Sequence, residues 1–374
     1  MSRSRPWARV GATLVAALFV LTMGSYAVQH IAVNGQSAGS GSSPGRPVGT
    51  ANDTGPIPQG RATEVGLSVS VGAAPTGVVY DSGTQELFVA NQGSDNVSVL
   101  PAGGGAVRTW VPVGAGPVGL AYDPANGQVF VANSLSSNVS VISDSSNSVV
   151  ATVPVGGGPY WAAYDPASQE IFVANYDTGN VTVISAAHDR VVANIAVGLQ
   201  PDGIAFEPTS HQMLVADSGS NDVAVIGART NRVVGDVFVG NDPVGIAYDP
   251  AGHDVVVANA GSGNLSIISG STDQLIATVP LPSGPGLIAF DTSKAELYVS
   301  NPTAANITVV SGKTFGVLAT VPVGAAPQGI VYDPMVQEVV VANSGSDNLT
   351  EIADTSPSII TTWASSGSTS SNRR

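Results

Sequence analysis

The 374-residue chain contains no cysteine. Disulfide staples, thiol nucleophiles and thiolate metal sites are thereby excluded. Positive charge is scarce. Thirteen Lys and Arg stand against 27 Asp and Glu, a net charge of −14, and from Arg61 onward nine basic residues face 26 acidic ones. Such a surface repels phosphate backbones, and no basic patch is interleaved with aromatics, so nucleic acid is not an expected partner. Histidine is rarer still. His30, His188, His211 and His253 read as lone surface residues in unrelated registers, without the spacing of a zinc site or a shared base. A G-x-S-x-G nucleophile elbow is missing, as is a Gly-rich loop opening a helix. No catalytic residue, metal or cofactor is therefore expected.

What the chain has in abundance is repetition. Pro75, Pro117, Pro159, Pro201, Pro243, Pro285 and Pro327 stand 42 residues apart without an insertion. The same step carries Asn91, Asn133, Asn175, Asp217, Asn259, Asn301 and Asn343, and again Asn96, Asn138, Asn180, Asp222, Asn264, Asn306 and Asn348. A period of this size marks an array of supersecondary units. The copy from Gly114 to Val155 has apolar runs at 118–122, 128–132, 139–142 and 149–155, separated by turn residues such as Asp123-Pro124-Ala125-Asn126-Gly127. Short runs of Val, Ile, Phe and Tyr bounded by turn chemistry read as strands. Several, such as 255–258, are apolar throughout, so both their faces are covered. Small sheets stacked face to face in a ring meet that demand. The expectation is an all-β, seven-bladed β-propeller of four-stranded antiparallel blades.

The sequence PxGhAYDP, with h apolar, followed by VFVAN, NVSVI and VVATVPVG, resembles the YVTN-type propeller repeat of bacterial and archaeal secreted and surface-layer proteins. The likeness covers residues 65–365. It implies the fold and an extracytoplasmic setting. It implies no shared site, because that repeat is defined by its scaffold.

The remaining chain is read from its N-terminus. Arg3, Arg5 and Arg9 make residues 1–9 a basic cytoplasmic flank, and 10–33 is a signal-anchor or signal-peptide helix, uncharged from Val10 to Val28. Retention as an anchor is ranked ahead of cleavage after the small residues Ser25 and Ala27. Either way the propeller is exported, membrane-anchored at the cell surface or secreted. Residues 34–60 form a flexible Gly/Ser/Pro linker, 61–365 the propeller and 366–374 a disordered tail. Two segments, 65–71 and 359–365, compete for one fourth-strand slot. The cleaner alternation of Val65, Leu67, Val69 and Val71 predicts that the N-terminal strand closes the ring.

Three registers are candidates for chemistry. Asp81, Asp123, Asp165, Glu207, Asp249, Asp291 and Asp333 form an acid ring that either holds a cation or caps seven turns; repetition in every blade favours capping. At the opposite end blade identity varies: Tyr160, Trp161, Asp202, Asp217 and Gln328 are ligand-binding candidates, suited to stacking a sugar or admitting a cation. Asn52, Asn96, Asn138, Asn180, Asn264, Asn306 and Asn348 each head an N-x-S/T sequon and are glycosylation candidates. The expected function is a non-enzymatic extracytoplasmic binding or interaction module. Its partners would be cell-surface proteins or glycans. The alternative is a propeller enzyme, lactonase- or lyase-like, with a site at the channel mouth.

Overall fold

The structure, a computed structural model, describes residues 63–354. The expected N-terminal signal-anchor or signal-peptide helix, the expected linker with Asn52, the segment 359–365 and the expected tail lie outside the described residues. No helix within them is long and apolar enough to cross a membrane.

The described chain forms 28 strands in seven four-stranded antiparallel sheets. Blade 2 shows the plan, with strands Pro117–Asp123, Gln128–Asn133, Asn138–Ser143 and Ser148–Pro154 running from the axis outward. The two middle strands of each blade are buried almost throughout, while the outer strand is largely exposed. That gradient is why the middle strands read as unbroken apolar runs. Each pair of neighbouring blades encloses one apolar cluster. Phe88, Val99, Leu120 and Val131 pack between blades 1 and 2, and Phe172, Ile204 and Met213 between blades 3 and 4.

The inner strands press together around the axis. A Cβ placed on Gly77, Gly119, Gly203, Gly245 or Gly329 would lie 2.2–2.5 Å from a carbonyl oxygen of the next blade. Glycine at this register allows the close approach. Trp161 and Leu287 occupy the same register in blades 3 and 6. Both line a narrow axial cavity of about 90 Å³, with Val78, Ile204, Ile246, Ile288 and Ile330.

The ring closes as the alternation predicts. Strand Thr63–Ser70 pairs antiparallel with Asn348–Asp354 and supplies the outer strand of blade 7. Val69 and Val71 pack on the cluster that joins blade 7 to blade 1. Burying two such side chains contributes about 3–5 kcal/mol. Deleting residues 62–72 should therefore lower Tm by about 10 °C or more, whereas deleting 357–374 should shift it by less than about 2 °C. Calorimetry of the two deletions checks the order.

Candidate functional site

Six blades share a buried polar link between their middle strands. Asn91 Nδ2 donates to Asn96 Oδ1 at 2.8 Å and to Ser98 Oγ at 2.8 Å. The same pair of bonds starts from Asn133, Asn175, Asn259, Asn301 and Asn343. All six donor asparagines are fully buried. The link accounts for both Asn registers and for the Ser or Thr two positions further on. Every blade sequon is thus also a folding device. Its Asn is half-buried. Its hydroxyl, on Ser98, Ser140, Thr182, Ser266, Thr308 or Thr350, is at most 5% exposed. An oligosaccharide transferase acting on the folded chain would find that hydroxyl inside the sheet.

The acid ring caps its turns. Each acid accepts the backbone N–H two residues on, from Gly83, Ala125, Ala167, Thr209, Ala251, Ser293 and Met335, at 2.6–2.9 Å. The hydroxyls of Tyr122, Tyr164 and Tyr332 lie near the capping acid of the preceding blade, Asp81, Asp123 and Asp291, whose charge adds to burial in raising them, and Tyr122 Oη donates to Asp144 Oδ2 at 3.5 Å. Blade 4 has Phe206 in place of that tyrosine. There His211 Nε2 stands 3.1 Å from Asp165 Oδ2, with its ring edge-on to Phe206. This corrects the reading of His211 as a lone surface residue: its side chain is 12% exposed and stands beside Asp165, with Nε2 buried and not aligned for a hydrogen bond. The reading of unrelated registers is corrected too. His211 and His253 are 42 residues apart, and both close their turns at positive φ, 56° and 58°. His253 Nδ1 meets the Tyr248 hydroxyl at 3.0 Å. A cavity of about 460 Å³ opens beside His211, between Thr209, Ser210, Arg229 and Thr230.

The opposite end carries the asymmetry. Tyr160 and Asp202 begin the inner strands of blades 3 and 4, at one register. Tyr160 and Tyr176 stack at a tilt, with ring centroids 5.6 Å apart. Trp161 and Tyr160 lie close to Asp202, and Tyr176 close to Asp202 and Ser218. Asp202 is only 6% exposed. Burial holds its carboxyl well above the usual range, the charge of Asp242 pushes it further, and the neighbouring Trp161 opposes both. Burial likewise raises the Tyr160 hydroxyl, helped by Asp202. The structure therefore brings Tyr160, Trp161 and Asp202 together and adds Tyr176, Ser218 and Asp242. Gln328 stands at the register of Tyr160 but on blade 7, with blades 1 and 2 between. Asp217 pairs in register with Pro201, yet its buried carboxylate turns into the sheet and accepts Gly198 N–H at 3.0 Å. Among the described residues no group of three His, Cys, Asp or Glu is placed to hold a metal ion.

The fold and these registers define a seven-bladed β-propeller with one modified sector. No family model matches the chain, and no curated protein does. Among solved structures it is similar to a chain of hydrazine synthase from Kuenenia stuttgartiensis. The TM-score is 0.67 at 20% identity, over 75% of this chain and 95% of that one. At that identity the likeness is one of fold.

The polar link is open to a direct test. Asn133→Ala removes two buried donations, leaving Asn138 Oδ1 without its donor and Ser140 Oγ with the Gly114 N–H alone. It should destabilise the ring by about 2–3 kcal/mol. Denaturant unfolding measures this, and a loss under about 0.5 kcal/mol would contradict the role given to the link.

Proposed function

We propose that this chain is a non-enzymatic binding module of the YVTN-type propeller class, held outside the cytoplasm by its N-terminal segment. Its ligand site is the mouth of blades 3 to 5, and its ligand presents an ammonium group, as an amino sugar or a lysine side chain of a surface partner does. The observation that carries this is Asp202. It is a buried carboxylate whose neighbouring charge is another acid, Asp242, and the rings of Tyr160, Trp161 and Tyr176 stand around it. Aromatic faces and an uncompensated carboxylate both favour an organic cation over an anion or a neutral chain. The export reading is supported by the basic flank, the uncharged segment Val10 to Val28 and the acidic surface. The hydrazine synthase likeness supports the scaffold and carries no reaction to this chain. An enzyme at the channel mouth has less support, since the axial cavity is lined by aliphatic side chains and Trp161.

Calorimetric titration with glucosamine, choline and a lysine peptide tests the reading. Saturable binding of at least one is expected, weakened about 10-fold or more by Trp161→Ala and by Asp202→Asn. A cation binds the ionised carboxylate. Because burial raises the Asp202 carboxyl well above the usual carboxylate range, affinity should climb as pH rises. Equal affinities in the three proteins, or none for any cation, would overturn the proposal.

A further inference from the structure

Blade 4 departs from the other six blades at three linked positions. Asp217 stands where the others have a donor Asn, Asp222 where they have an acceptor Asn, and Ala224 where they have Ser or Thr. The backbone is unchanged: Asp217 pairs with Asp222 and Ala216 with Val223 in the register that the Asn blades use. In those six blades that register sets Nδ2 2.7–2.9 Å from the acceptor Oδ1. In blade 4 the donor is gone, and Asp222 Oδ1 is buried without a partner. The hydroxyl is gone too. Gly114 and Gly156 donate their N–H to Ser140 and Thr182 in blades 2 and 3, but Gly198 donates to Asp217 Oδ2.

Among the described residues no positive charge acts on Asp217. The charged groups acting on Asp217 are Asp222, its partner, and Asp236, which lies across from Ala224 on the exposed outer strand. The other groups against it are the backbone N–H donors of Gly198 and Ala224. Two carboxylates held on a register that brings amides into hydrogen-bond contact cannot both stay ionised at low cost.

We propose that Asp217 and Asp222 share one proton, so that an Asp217 O–H replaces the amide N–H of the other blades and makes blade 4 the pH-sensitive member of the ring. With the proton in place the link is made, and the blade is built like its neighbours. When the proton leaves, the buried Asp217 carboxylate faces the half-buried Asp222 carboxylate and the link opens. The segment that answers is 198–202. Its turn hangs from Asp217 Oδ2 through Gly198, and Ser218 Oγ holds Gln200 O at 2.9 Å. This inference stands on the blade 4 link alone and needs no ligand.

The direction of the pH dependence follows. Burial, first, and the charges of Asp222 and Asp236 push Asp217 up to about 7, against the opposing Gly198 N–H. Burial and Asp236 raise Asp222 as well. The folded chain then keeps a proton that the unfolded chain releases from about pH 4 upward. The stabilisation is complete below that value, falls as pH rises toward about 7, and is gone above it.

Thermal unfolding of the full chain from about pH 5 to about pH 8 in a chelating buffer tests this, beside the Asp217→Asn and Asp222→Asn variants. Asp217→Asn restores the amide donor and removes the titration. Wild-type Tm should fall by about 5–10 °C more than that of Asp217→Asn across the range. Hydrogen-exchange protection of the peptide covering 198–202, corrected for the intrinsic rise of exchange with pH, should fall above about pH 7 in the wild type alone. Infrared spectra at about pH 6 should show a protonated-carboxyl band in the wild type that is weaker in Asp217→Asn, since Asp202, also raised by burial, contributes to both. Parallel Tm profiles overturn the proposal, as does the absence of that weakening. So does a wild-type profile that calcium flattens, since a cation rather than a proton would then be satisfying the pair.

Discussion

The buried amide bond from one asparagine to the next is the interaction on which this ring depends. A side-chain amide with no access to water needs partners for its N–H groups. In this chain it finds them at two fixed offsets, five and seven residues on. Those offsets hold only while the second and third strands keep their register, because a slip of one residue would turn both partners to the other face. One polar contact thus locks the hairpin at the centre of each blade. The surrounding Val, Ile and Phe supply most of the burial, but apolar residues on both faces specify register weakly, and the amide supplies what they lack.

A second constraint acts at the axis. Glycine lets neighbouring inner strands approach until no Cβ fits between them, and an aliphatic ring fills what remains. The centre of this propeller is therefore a packed seam with a small cavity, not a wet channel. Chemistry that needs polar groups is displaced to the ends. One end is occupied by capped turns, whose acids are already bonded to backbone N–H groups. The other end, where blade 3 carries Tyr160 and Trp161 and blade 4 carries Asp202, is left to differ from the repeat.

Much of this was legible in the 42-residue step. Proline, asparagine and turn-acid registers marked the strand ends, and the alternation of Val65, Val69 and Val71 pointed to the closing strand. The turn acids were legible as caps because a cap belongs to every blade. The pairing of His211 with Asp165 was not. The turn position it shares with His253 also holds Gln85, Gly127, Gln169, Ala295 and Gln337. A positive φ unites those residues, and no side-chain chemistry does. A visible signal existed in Phe206, where five other blades have tyrosine, but its meaning needed the contact between blades. Asp217 shows the complementary limit. Spacing located it at the end of its strand, while the direction of its carboxylate depends on Ala224 having no hydroxyl to offer Gly198.

The departures from the repeat also have a common electrostatic sense. Asp202 and Asp217 lie in blade 4, both buried, and the charges acting on both are other acids. Uncompensated buried carboxylates work against stability. A ring of seven similar interfaces can absorb such a cost in one sector, because the five clusters that do not include blade 4 and the amide links of the other six blades are untouched. Repetition thereby does two things at once. It supplies redundant stability, and it provides a background against which one blade can hold acids that no cation neutralises within the fold. A carboxylate left in that state is satisfied by a proton or by a cation from outside. The first is the role assigned to Asp217 within the sheet, and the second is the role assigned to Asp202 at the mouth.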